Sequence, residues 1–232
     1  MTRLLKAEFY KLIRSRSFWL IVVSSFLLGS LLLLDTQRIT ADLFCASLYN
    51  TPLLYFMVII FTAIYAGGDF GERTLQYFVA AGHKRGEILF TKTVTCQIAC
   101  NVILAVPLAA HGILENVLYN DFYILHRHLL IESGVIILGI LAMCMLPLCC
   151  AFIFKDMGRT LVVPMVIYFF AIFVLNSEKA QSIAVFLPMG QLRLLALNEL
   201  NVSMAAAAGI DLLWIAGLYV AAYFGFHRSD LK

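Results

Sequence analysis

Charge is scarce in this chain: 13% of its 232 residues are Asp, Glu, Lys or Arg, against about 25% in an average soluble domain. So few ionised groups cannot cover a water-facing globular surface. The net charge of +3 reflects uneven placement of Lys and Arg along the chain and does not point to nucleic acid. Motifs are missing too. There is no G-x-x-x-x-G-K-[ST] phosphate loop, no H-E-x-x-H zinc pair and no C-x-x-C, which removes nucleotide hydrolysis by the familiar route and the commonest zinc and dithiol chemistries. No catalytic residue is assigned. Internal repeats, low-complexity tracts and a separate soluble domain are also absent.

What is present is apolar, at 62% of residues. A helical span needs about 20 predominantly apolar residues. Six runs meet or approach that length: Phe18–Leu34, Leu53–Gly67, Ile88–His111, Leu129–Phe154, Leu161–Leu175 and Ala205–Phe226. None alternates as a barrel strand would. The expected fold is an all-α polytopic membrane protein, one transmembrane domain over 1–232 with six transmembrane helices. The first run is 17 residues, longer than the about 7–15 of a signal-peptide core. Leu33-Leu34-Asp35-Thr36 also offers no A-x-A-like cleavage site, so this span is expected to be retained.

Thirteen of the seventeen Lys and Arg residues fall on one side of this topology. They lie before the first span (Arg3, Lys6, Lys11, Arg14, Arg16), between spans two and three (Arg73, Lys84, Arg85, Lys92), after span four (Lys155, Arg159) and in the tail (Arg228, Lys232). The positive-inside rule then makes both termini cytoplasmic.

Within 3–16, Leu5, Phe9, Leu12 and Ile13 share one helical face, opposite Arg3, Lys6, Lys11 and Arg14. That is an amphipathic helix lying in the headgroup plane of the bilayer. Pro107, Pro147 and Pro164 fall inside spans three, four and five, where kinks are expected. Residues 183–200 contain an apolar stretch too short to span, broken at Pro188-Met189-Gly190 and followed by leucines. This reads as a re-entrant pair dipping from outside, with Leu187, Pro188, Gly190 and Leu192 as an external gate.

Soft ligands occur at Cys96 and Cys100 and at Cys144, Cys149 and Cys150 with Met143 and Met145. Copper(I) is one reading of them, and ordinary apolar packing is the other. A metal-translocating permease built on these residues is the alternative function. A membrane metalloenzyme using His126, His128 and Glu132 is a more distant one. Asp211, inside span six, is a functional candidate because intramembrane acids are costly. Only Cys45 lies outside, so no disulfide within the chain is expected.

Between spans two and three stands a polar insert, 69–87, with Asp69-Phe70-Gly71-Glu72-Arg73-Thr74-Leu75, then Ala81-Gly82-His83-Lys84-Arg85, closing at Lys92. A short helix over Thr74–Ala81 is expected, stopped by Gly82. This insert resembles the first cytoplasmic loop of ABC-2-type transporter permeases: an acidic residue, three others, Gly-Thr, a short helix, Gly, two others, Arg, and a Lys re-entering the membrane. Asp69 stands where Glu is usual and Arg73 where Gly is usual. Glu8-Phe9-Tyr10-Lys11-Leu12 followed by Arg14 also resembles that family's start. The similarity is greatest to small permeases of bacterial peptide-antibiotic and peptide-toxin export and immunity.

The resemblance implies a permease subunit of an ABC exporter in the bacterial cytoplasmic membrane, moving an amphipathic or hydrophobic substrate, a peptide above all, outward. It implies pairing with a second permease chain and docking of two separate ATPase chains, which use the ATP and Mg; this chain binds no cofactor itself. The short helix, taken from Phe70 to Ala81, would be the coupling helix, with Asp69, Phe70, Gly71, Glu72, Arg73, Thr74 and Leu75 as the ATPase-coupling residues.

Overall fold

The computed structural model describes residues 2–36, 42–119, 127–177 and 181–228. Among them every regular element is a helix. Six segments are long and apolar enough to cross a membrane: Arg16–Leu34, Leu43–Gly71, Arg85–Glu115, Glu132–Phe154, Met157–Leu175 and Met204–His227. Helices are the expected outcome for such runs, because lipid offers no partner to an unpaired backbone amide or carbonyl.

The elements in chain order are α1 (Thr2–Arg14), α2 (Arg16–Thr36), α3 (Leu43–Thr62), a π-helical turn (Ala63–Gly67), α4 (Gly68–Gly71), α5 (Thr74–Ala80), α6 (Arg85–Tyr119), α7 (Arg127–Phe154), α8 (Met157–Leu175), α9 (Gln181–Ala184), α10 (Pro188–Ala196) and α11 (Met204–His227). α3 is the axis of the bundle, packed against α2, α6, α7, α8 and α10, while α11 lies along α7. Tyr55, Val58, Ile59 and Phe61 of α3 are almost wholly buried. Side-chain-to-backbone hydrogen bonds tie the helices together: Ser25 Oγ donates to the Ile103 carbonyl at 2.9 Å, Tyr55 OH to Met143 at 2.7 Å, and Tyr168 OH to Leu53 at 3.1 Å. Such bonds and close packing hold helices together where lipid removes the hydrophobic drive.

The second span differs most from expectation. α3 begins at Leu43, ten residues before the expected start at Leu53. Ser47, Asn50 and Thr51, whose polarity suggests a loop, are buried. Their groups are satisfied inside the bundle. Thr51 Oγ1 donates to the Ser47 carbonyl at 3.1 Å, and Glu115 of α6 accepts the Phe44 amide at 2.8 Å, acting as a borrowed cap for the start of α3. Ser47 also contacts His111 Nδ1 at 3.0 Å, and Ser30 contacts Nε2 at 3.1 Å. Ser30 already donates its proton to the Phe26 carbonyl. It therefore accepts from Nε2–H, leaving Nδ1 to accept from Ser47. One imidazole thus links α2, α3 and α6.

Pro107, Pro147 and Pro164 lie within α6, α7 and α8, each assigned as one helix through its proline. An irregular turn also occurs in the π-helical residues Ala63–Gly67 at the foot of the second span. There a Cβ on Gly67 would sit 3.1 Å from the Met157 Cα, so glycine is what lets the start of α8 approach.

α1 and the last turn of α11 both approach the first part of α6. α1 packs on α6, and Arg85 NH1 donates to the carbonyls of Phe226 at 3.2 Å and His227 at 2.8 Å, capping α11 with a cation. This pole is called the terminal end below.

Candidate functional site

The polar insert sits at the terminal end, and its base is a buried ion cluster. Asp69 on α4 is 1% exposed. One of its carboxylate oxygens accepts from Lys11 Nζ of α1 and the other from Lys92 Nζ of α6. Lys92 also donates to Glu8 Oε2 at 2.6 Å, and the Tyr65 hydroxyl donates to the same oxygen at 2.6 Å. The Lys92 ammonium lies 4.6 Å from the Tyr65 ring centre, a cation–π contact. Two lysines and two carboxylates thus join α1, the π turn, α4 and α6 with no net charge. Charge-assisted bonds of this kind hold geometry tightly where water is excluded.

Glu8 is the site residue that sequence reasoning missed. The expected apolar face of α1 was Leu5, Phe9, Leu12 and Ile13; the buried residues are Leu4, Glu8 and Leu12, with Leu5 and Phe9 half-buried and Ile13 63% exposed. The available signal was an acid between two leucines at i−4 and i+4, facing the same way. Lys11, expected on the polar face, is half-exposed and reaches back to Asp69.

The expected coupling residues divide between two environments. Asp69 is inside the cluster. Phe70 is half-buried against its own chain, with its ring centre 5.5 Å from that of Phe152 and 6.2 Å from that of Phe226. Leu75 is 1% exposed, and Thr74 is half-buried. Gly71, Glu72 and Arg73 are exposed. The short helix expected from Thr74 is α5, while the coupling helix that the resemblance implied from Phe70 to Ala81 is in two pieces, because Arg73 adopts φ 58° and breaks the chain between α4 and α5. A left-handed arginine costs about 1–2 kcal/mol. That is a physical reason for glycine in the resembled pattern at this position.

α5 presents Arg73, Tyr77, Ala80 and Ala81 outward, with Tyr77 70% exposed, while Phe78 and Val79 pack on the core. Gly82 ends it as expected. Its φ is 89°; its amide bonds the Val79 carbonyl at 3.0 Å, and the His83 amide bonds Phe78 at 3.1 Å. This is a Schellman closure, and the Phe78 and His83 rings pack edge to face across it. Nothing stands within 4 Å of a Cβ built on Gly82. Gly82→Ala is therefore expected to cost only backbone strain, about 1 kcal/mol, read as a small drop in the unfolding midpoint with docking of partners unchanged.

At the opposite pole, α9 and α10 form the expected broken pair. Pro188 is the first residue of α10 and Leu187 its cap. Leu192 is fully buried, facing Gly139 of α7. Gly190 packs so tightly under α9 that an added Cβ would lie 2.1 Å from the Ala184 carbonyl oxygen. Arg193, which the sequence did not single out, bonds Asn176 Oδ1 at 2.7 Å and the Tyr49 hydroxyl, and stacks on the Tyr49 ring.

Asp211 is fully buried beside Gly139, and neither carboxylate oxygen finds a hydrogen-bond partner among the described residues. Cys96 and Cys100 lie 3.8 Å apart, each 3.8 Å from Thr62 Oγ1. Among the described residues no group of three or more His, Cys, Asp or Glu is placed to hold a metal. His126 and the side chain of His128 lie outside the described residues. No protein-family profile matches the chain, and no curated protein matches it in sequence.

Proposed function

We infer that this chain is the membrane subunit of an ATP-driven ABC exporter, seated in a bacterial cytoplasmic membrane with both termini inside. Two permease chains pair, two separate ATPase chains dock on the cytoplasmic face, and an amphipathic or hydrophobic substrate of the peptide class leaves the cell. Orientation rests on the Lys and Arg distribution; class and direction rest on the resemblance of the insert. α9 and α10 would then close the outer exit, through Leu187, Pro188, Gly190 and Leu192.

The observation that carries the reading is the two-sided construction of the insert. Outward stands a short stripe of Arg73, Tyr77 and Ala81. Inward, Asp69, Phe70 and Leu75 are locked to α1, α6, α7 and α11. An element gripped from inside and bare outside can pass a push on α5 into spans two and three. The docking anchor is then Tyr77, since Phe70 is packed against Phe152 and Phe226. An exposed tyrosine brings large area at low entropic cost, and such residues dominate interface energetics.

Tyr77→Ala is expected to weaken docking about thirtyfold, some 2 kcal/mol, and Arg73→Glu to impair it through misplaced charge. Co-purification with the partner ATPase and substrate-stimulated ATP hydrolysis read both effects. Wild-type docking and turnover in both variants would remove this face as the contact.

A further inference from the structure

We propose that the chain binds the headgroup of a zwitterionic, primary-amine phospholipid at the terminal end, in a cavity beside the ion cluster. The cavity, about 170 Å³, lies between Ser15 and Ser17 at the head of α2, Ile64 and Tyr65 of the π turn, and Lys11, Glu72 and the lysine-paired Asp69.

Its depth is that of a headgroup. The first candidate span starts at Arg16 and the second ends at Gly71, so the cavity opens where both cross from hydrocarbon to the polar layer. Trp19 and Tyr10, on the two helices joined at Ser15, are exposed. The Trp19 indole donates to the Ile13 carbonyl at 2.8 Å, and Arg14 donates to the Tyr10 hydroxyl at 2.8 Å. Amphipathic aromatics and arginine in this pose belong to the membrane interface. Ile64, 39% exposed, gives the cavity an apolar rim toward the acyl region.

Its chemistry is dipolar. Lys11 uses one of its three N–H donors on Asp69, leaving donors for a phosphate that the Ser15 and Ser17 hydroxyls would also bond. Glu72 is exposed and forms no ion pair among the described residues. Its carboxylate suits an ammonium carrying N–H donors. The volume equals that of about six waters at liquid density, room for a phosphate and a two-carbon amine. An anionic glycerol headgroup offers Glu72 hydroxyl donors but no compensating charge. A choline headgroup supplies charge but no N–H.

The inference is independent of the transporter reading. The test uses the detergent-solubilised full-length chain, with the unfolding midpoint followed as lipid is added. Phosphatidylethanolamine is expected to raise the midpoint saturably, with apparent affinity about tenfold above phosphatidylcholine or phosphatidylglycerol, the loss expected for one exposed charge-assisted contact. Ser17→Phe, which fills the cavity, should abolish the rise. Glu72→Gln, which preserves shape, should erase the preference over phosphatidylcholine. Equal stabilisation by all three lipids, or a rise that survives both substitutions, would overturn the site. The same rise with inorganic phosphate or free phosphoethanolamine would overturn the lipid as occupant in favour of a soluble ligand.

Discussion

Replacing Lys92 by methionine is expected to destabilise the protein by about 3–5 kcal/mol, the range for breaking a buried ion pair by removing one partner. Lys92 is 1% exposed and is the only group bonded to both Asp69 and Glu8 in the cluster. Methionine fills the stem's volume but removes the charge between the two carboxylates. Lys11 still serves Asp69, whereas Glu8 keeps only the Tyr65 hydroxyl among the described residues. Two negative charges and one positive then share a site in which both carboxylates are almost fully buried. Adding Glu8→Gln to Lys92→Met should recover part of the loss, since it restores neutrality with Lys11 and Asp69 alone and leaves an acceptor for Tyr65. The measurement is the unfolding midpoint of the wild type, the single variant and the double variant. Wild-type stability of Lys92→Met, or no recovery in the double variant, would mean that the cluster does not hold α1 and α4 to α6.

Gly190→Ala is expected to act at the opposite pole with comparable force. Its Cβ would lie 2.1 Å from the Ala184 carbonyl oxygen and 2.7 Å from the Ala184 Cα, both backbone atoms that no rotamer change can move. α9 must swing off α10, or α10 must leave its seat against α3 and α7. Overpacking costs about 1–3 kcal/mol where side chains can adjust, and this contact belongs at or above the top of that range. If α9 and α10 close the exit, the variant should leak or uncouple ATP turnover while Tyr77-side docking persists, because the terminal end is untouched. Dissociation of the ATPase instead would make the pair an assembly element. Unaltered stability would mean that the close approach relaxes cheaply.

Much of this architecture was legible because lipid imposes a coarse rule. A run of apolar residues must be a helix where no water can satisfy the backbone, and six such runs give six spans. The break at Pro188 and the stop at Gly82 were legible for the same local reason: proline starts a helix well, and glycine reaches positive φ without strain. Boundaries were less so. Ser47, Asn50 and Thr51 look like loop residues until His111 and backbone carbonyls are seen to satisfy the bundle's polar groups.

The chain's composition and the order of its apolar runs determined by themselves that it has six helical segments long and apolar enough to cross a membrane, with a charged insert after the second. Only the tertiary structure decided what those charges do. Asp69, Glu8, Lys11 and Lys92 span 84 residues of sequence between Glu8 and Lys92, and nothing local pairs them. Ion pairing across packed helices is a long-range Coulomb and hydrogen-bond choice, made once the helix faces are fixed. Phe70 turned inward for a related reason: Phe152 and Phe226 come beside it only when α4, α7 and α11 meet, leaving Tyr77 as the aromatic that faces out.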